Sequence, residues 1–109
     1  MAGRFDPLSP PSLRALRHIA CTAARNGCLA TVCGEMSGRP LEAMTLIGLG
    51  FRALSMPPAA IGPVKQMLLA VEAGPLAAHI DAMLKDEAAE ATLRPRLEAW
   101  ACTHAIPME

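Results

Sequence analysis

At 109 residues the chain has room for one compact domain, and a hydrophobic share of 52% is too high for a disordered segment. Ten basic and ten acidic residues cancel to zero net charge, and the scattered Arg14, Arg17 and Arg25 form no basic cluster, which argues against nucleic-acid binding. No apolar run reaches the roughly 18 residues needed to span a bilayer, and the start Met1-Ala2-Gly3-Arg4-Phe5-Asp6-Pro7 lacks the apolar core of a signal peptide, so no membrane role and a cytoplasmic location are expected.

Ser9-Pro10-Pro11-Ser12 supplies a helix cap and N-terminal prolines, after which Leu13, Leu16, Ala20 and Ala23 recur at helical spacing. This first helix ends at Asn26-Gly27, glycine suiting a left-handed closing residue. Cys28 to Val32 then reads as a short, wholly apolar strand, and continuous apolarity implies burial on both faces. Cys33 ends that strand. The residues between it and Pro40 form a surface loop with two glycines, Gly34 and Gly38, and two ionisable side chains, Glu35 and Arg39.

Pro40 opens a second helix with Leu41, Met44, Ile47 and Gly48 on one side, ended by Gly48-Leu49-Gly50. Phe51 to Met56 is a second short strand, broken by Pro57-Pro58. A third helix from about Ala59 to Glu72 carries Ile61, Val64, Leu68 and Val71 on one stripe. Short apolar strands alternating with helices predict parallel βαβ units, hence a helix-rich α/β fold. Two strands make no stable sheet alone, so the pattern lacks partners.

Beyond Gly74-Pro75 the pattern is wholly helical: Leu76, Ile80, Met83 and Leu84 mark one helix, and Leu93, Leu97, Trp100 and Ala101 mark another. Asp86 to Ala91 is the expected joint, with Thr92 capping the last helix and Pro95 in its first turn. The domain therefore divides into a helix-strand-helix-strand-helix part, 1–74, and C-terminal helices, 75–109.

Cys21, Cys28, Cys33 and Cys102 include no Cys-x-x-Cys pair and have no companion His at ligand spacing, so neither zinc nor a disulfide framework is expected. Cys21, Cys28 and Cys102 read as small buried hydrophobes. Cys33 has two readings: a plain buried thiol, or a reactive group at the mouth where loops gather after parallel strands. Glu35 is a solvated turn residue or an orienting carboxylate, and Arg39 a solvated side chain or a clamp for carboxylate or phosphate. Ser55 ends the second strand and reads as a cap for the helix that follows. His18, His79 and His104 lie on or near polar helical faces, and none pairs with Cys33 as a hydrolase would require.

The run Thr31-Val32-Cys33-Gly34-Glu35-Met36-Ser37-Gly38-Arg39-Pro40, with Leu46-Ile47-Gly48-Leu49-Gly50-Phe51-Arg52-Ala53-Leu54-Ser55-Met56-Pro57-Pro58 and onward to Lys65, resembles the C-terminal end of phosphoenolpyruvate-protein phosphotransferase, the enzyme I family. Phe5-Asp6-Pro7-Leu8-Ser9-Pro10 adds a resemblance to its nitrogen-related branch. The resemblance implies a phosphoenolpyruvate-binding (β/α)8 TIM barrel, of which this chain would be the last two strands with their helices and closing helices. It implies that Cys33 is the general acid that protonates the methylene carbon of the enolate, with Gly34 and Glu35 in the substrate-proximal loop. It also implies magnesium in the parent and none for this fragment, phosphoenolpyruvate and a small phosphocarrier protein as the parent's partners, and a homo-oligomer. The family's phosphate-binding arginines, acidic magnesium ligands, Gly-Thr-Asn-Asp segment and phosphoryl-accepting histidine lie upstream, so the fragment alone is expected to be inactive. Two positions depart from the family pattern: Pro57 stands where serine is usual, and Arg39 where an acidic residue is common.

Two other classes of function are consistent with the residues. A stand-alone interaction module would bury its orphaned barrel surface by oligomerising. A thiol-switch protein would require a cysteine of distinctive reactivity.

Overall fold

A computed structural model describes residues 8–33, 35–85 and 92–108, with the backbone alone at positions 33, 35 and 36. Pro10 and Pro11 set the start of the first helix, α1, which runs Pro10–Arg25. Their missing N–H groups sit in the first turn, where no intrahelical bond is lost. Ser9 occupies the cap position without a side-chain cap bond, its hydroxyl donating to Ser12 Oγ at 3.1 Å. Leu13 and Ala20 are buried and Leu16 packs against the core, as the helical spacing predicts.

α1 closes with Gly27 at φ 67°, its N–H donating to Ala24 O at 3.2 Å while the Cys28 N–H donates to Ala23 O at 2.8 Å. This pair of bonds is the Schellman closure. It also corrects the first strand: Cys28 belongs to the helix end, so β1 covers only Thr31–Cys33. β1 pairs in parallel with β2, Ala53–Ser55, in the register Thr31↔Ala53, Val32↔Leu54 and Cys33↔Ser55. Burial on both faces does not hold: Leu29 is 71% exposed, and Val32 and Leu54 are only half-buried. Among the described residues the sheet has two strands, too few to cover both of its faces.

Between β1 and α2 the expected loop contains a short 3-10 helix, Glu35–Gly38. α2, Pro40–Leu49, is not one-sided as its periodicity suggests. Leu41 to Leu46 are all buried, including Glu42 and Thr45, because α1, α3, α4, α5 and the 3-10 turn surround it. The Thr45 hydroxyl is satisfied by donating to Leu41 O at 2.9 Å. Gly48 is where α4 comes closest: a Cβ there would lie 2.4 Å from Ile80 Cδ1 and 2.9 Å from Leu76 Cγ.

α3, Pro58–Ala70, is capped by Pro57, which corrects the assignment of Ser55 as a cap. Ser55 lies in the β2 ladder, and the fixed φ of Pro57 and Pro58 starts the helix without help. α3 buries Val64 and Met67, whereas Ile61 is 52% and Leu68 40% exposed. Those two side chains of the expected stripe line an open groove beside β2.

The C-terminal helices are α4, Ala73–Lys85, and α5, Arg94–Thr103. They bury Leu76, Ile80, Met83 and Leu84, and Leu97, Trp100 and Ala101, with Leu93 just before α5. Thr92 Oγ1 accepts the Arg94 N–H at 3.1 Å and Pro95 lies in the first turn, as expected. The expected joint at 86–91 lies outside the described residues. No single helix among the described residues is long and apolar enough to cross a membrane.

The expected burial of three cysteines is overturned. Cys21, Cys28 and Cys102 are all exposed: Cys21 on α1, Cys28 in the helix closure, and Cys102 on α5 beside the buried Ala101.

Candidate active-site edge

Parallel pairing brings Cys33 and Ser55 side by side at the carboxyl ends of their strands. Ligand-binding groups gather at this edge of a parallel sheet, because every βα connection leaves from it. The segment that follows Cys33 is anchored to the second strand, since the buried Ser37 hydroxyl donates to the Ser55 carbonyl oxygen. A groove of about 520 Å³ opens next to Ser55, lined by Leu54, Met56, Ile61, Val64, Lys65 and Leu68. Gly34 lies outside the described residues, and at Cys33 and Glu35 the backbone fixes only their place: Cys33 ends β1 and Glu35 begins the 3-10 turn.

Arg39 is more than a solvated turn residue. It stands immediately before α2, and its Nη1 lies 3.4 Å from Oε2 of Glu42 one turn on. Glu42 is only 2% exposed, and its other oxygen, Oε1, lies 3.3 Å from Arg94 Nη1 at the start of α5. Periodicity reading missed Glu42, Ser37 and Arg94. A lone carboxyl at the first turn of a strongly apolar helix was the available signal for Glu42, because such a group is enclosed only when it is paired.

His18 lines a pocket with Cys21, Leu84 and Lys85, and His79 and His104 lie against Trp100 of α5. Trp100 is stacked between His104, with centroids 4.0 Å apart, and His79, at 6.0 Å. The His104 Nδ1–H donates to the Trp100 carbonyl at 2.9 Å. Burial, then the Arg96 guanidinium and His104, hold the His79 imidazole below its ordinary pKa. Among the described residues no three His, Cys, Asp or Glu side chains converge on a point that would hold a metal ion.

Residues 1–73 match the family model described as PEP-utilising enzyme, PEP-binding domain. The chain belongs to this family. The matched span of the PEP-binding domain includes both strands, the 3-10 turn, α2 and α3, and leaves α5 outside. Among curated relatives, the phosphoenolpyruvate-dependent phosphotransferase system protein of Salmonella typhimurium is 44% identical over 68 residues, 62% of this chain and 9% of the relative. The phosphoenolpyruvate-protein phosphotransferase of Cupriavidus necator is 38% identical over 85 residues, 78% of this chain and 14% of the relative. The Escherichia coli phosphoenolpyruvate-dependent phosphotransferase system protein is 40% identical over 72 residues, 66% of this chain and 10% of the relative. The chain thus spans about a tenth of the length of the curated relatives it matches. No solved structure matches the chain.

Proposed function

We propose that this chain is the C-terminal part of a phosphoenolpyruvate-protein phosphotransferase of the nitrogen-related branch, and that it supplies the last two βα units of a (β/α)8 barrel. The observation that carries this reading is the parallel pair whose strands end together at Cys33 and Ser55, inside the span matched to the PEP-binding domain. In this reading Cys33 is the proton donor. Phosphoenolpyruvate gives up its phosphoryl group to a histidine elsewhere in the parent, the enolate of pyruvate remains, and the Cys33 thiol protonates its methylene carbon. A thiol suits the step because it keeps its proton at neutral pH until a strongly basic carbon appears. Gly34 and Glu35 shape the loop that carries it. Phosphoenolpyruvate and a small phosphocarrier protein are the parent's partners, the location is cytoplasmic, and magnesium serves the upstream part. The half-buried strands and the exposed Leu29 are then surfaces for the rest of the barrel.

The test replaces the corresponding end of the Cupriavidus necator relative with residues 1–109 and measures pyruvate formation from phosphoenolpyruvate. The chimaera is expected to be active, the isolated chain inactive, and Cys33→Ala in the chimaera slower by roughly a hundredfold or more. Pyruvate release by the isolated chain, or an undiminished Cys33→Ala chimaera, would overturn the assignment.

The exposed apolar residues Leu29, Ile61 and Leu69 favour a second reading, in which the chain buries this surface by associating with itself. Sedimentation over a wide concentration range separates the two. A single monomeric species at the highest concentration removes the second reading.

A further inference from the structure

Glu42 is an isolated carboxyl among the apolar side chains of α2, nearly closed off from water, and it is addressed from two directions. Arg39, the last residue of the segment that starts at Cys33, approaches Oε2 at 3.4 Å, and Arg94, the first residue of α5, approaches Oε1 at 3.3 Å. Each guanidinium has its own oxygen, so the carboxyl spans three elements at once. Removing one of its two guanidinium partners leaves one buried carboxylate oxygen unpaired, and the local backbone has to move to satisfy it.

We infer that Arg94 is a positioning residue, which acts through Glu42 and Arg39 to hold the far end of the segment between Cys33 and Pro40. The functional weight of this inference rests on the assignment of Cys33 as proton donor. The near end of that segment is held by the β1 and β2 ladder, and its middle by the Ser37 bond to the Ser55 carbonyl. The far end is where the Glu42 clamp acts, through Arg94 of α5. The start of α5 is itself well placed for this role. The Leu93 N–H donates to Leu8 O at 2.9 Å, the Arg94 N–H to Thr92 Oγ1 at 3.1 Å, and Leu93 and Leu97 are buried beneath. Residues beyond the span matched to the PEP-binding domain thereby set the loop that the domain uses.

The experiment uses the full 109-residue chain with Cys21, Cys28 and Cys102 replaced by serine, so that Cys33 is the single thiol. Amide hydrogen exchange is followed by residue in Arg94→Ala, Glu42→Gln and Arg94→Lys, together with the pH profile of Cys33 alkylation by iodoacetamide. In Arg94→Ala and Glu42→Gln, exchange at 35–39 is expected to rise about tenfold while α4 keeps its protection, and the alkylation profile shifts along the pH axis. Arg94→Lys, which keeps the charge, is expected to recover most of the protection. Unchanged exchange at 35–39, or acceleration that is equal in α1, α4 and the segment, would overturn the inference. Glu42→Gln keeps the side-chain shape and serves if Arg94→Ala does not fold. Because exchange does not depend on catalysis, loss of the Cys33 assignment in the chimaera and loss of the clamp are separate results.

Discussion

The two ends of the molecule treat their apolar stripes in opposite ways. α4 and α5 bury every residue that helical spacing assigns to the core, whereas α3 leaves Ile61, Leu68 and Leu69 in solvent, as does Leu29 just before β1. Both regions are apolar in the same pattern, so the pattern shows that a face needs cover and says nothing about which chain provides it. In the C-terminal half α2 is that cover, enclosed by four helices and the 3-10 turn. Beside β2 there is an open groove instead.

Truncation at matched positions sharpens the contrast most. Leu46→Ala, in the fully enclosed α2, is expected to cost about 2–5 kcal/mol, against less than about 0.5 kcal/mol for Leu69→Ala on the open side, both read from urea unfolding. Similar losses at the two sites would mean that the open face is covered in solution. Next in size is Gly48→Ala. The added methyl would clash with Ile80 and Leu76, so overpacking of about 1–3 kcal/mol is expected, seen as a lower midpoint with an unchanged denaturant slope.

Smaller effects come from titration in α4. His79 is held below its ordinary pKa in the fold, chiefly by burial, so the unfolded chain takes up a proton first as pH falls. Its contribution is complete above about pH 6.5 and declines below that value. His79→Phe, which keeps a ring against Trp100, is expected to flatten that part of the stability curve; an unaltered slope would assign it elsewhere. Asp81 has the same sign in a more acidic window. Hydrogen bonds from Lys85 and Arg17 hold its carboxyl below the usual range, so its contribution is present above about pH 4 and is lost as pH falls through the folded value. Asp81→Asn is expected to reduce the acid loss only slightly, since both partners are part-exposed.

Much of the fold was legible because local chemistry enforces it. Pro10, Pro40 and Pro58 open helices, Gly27 closes one, and the stripes of α4 and α5 have period 3.6. The candidate site was legible only as two strand ends, Cys33 and Ser55, which the parallel register brings together. What holds the segment after Cys33 was not. Ser37 meets the Ser55 carbonyl across 18 residues, and Glu42 meets Arg94 across 52, separations at which no periodicity speaks.

The sequence by itself therefore determined the order of the elements, where prolines open helices, that the strands run parallel, and that a thiol stands at a strand end. Those outcomes depend on φ restrictions, missing N–H groups and side-chain periods, all of which act within a few residues. Tertiary structure alone decided that α2 is enclosed, that Cys21, Cys28 and Cys102 face solvent, and that one buried carboxyl joins the Cys33 segment to α5. Burial is a property of what else is nearby, and no residue carries its neighbours across the chain in its own side chain.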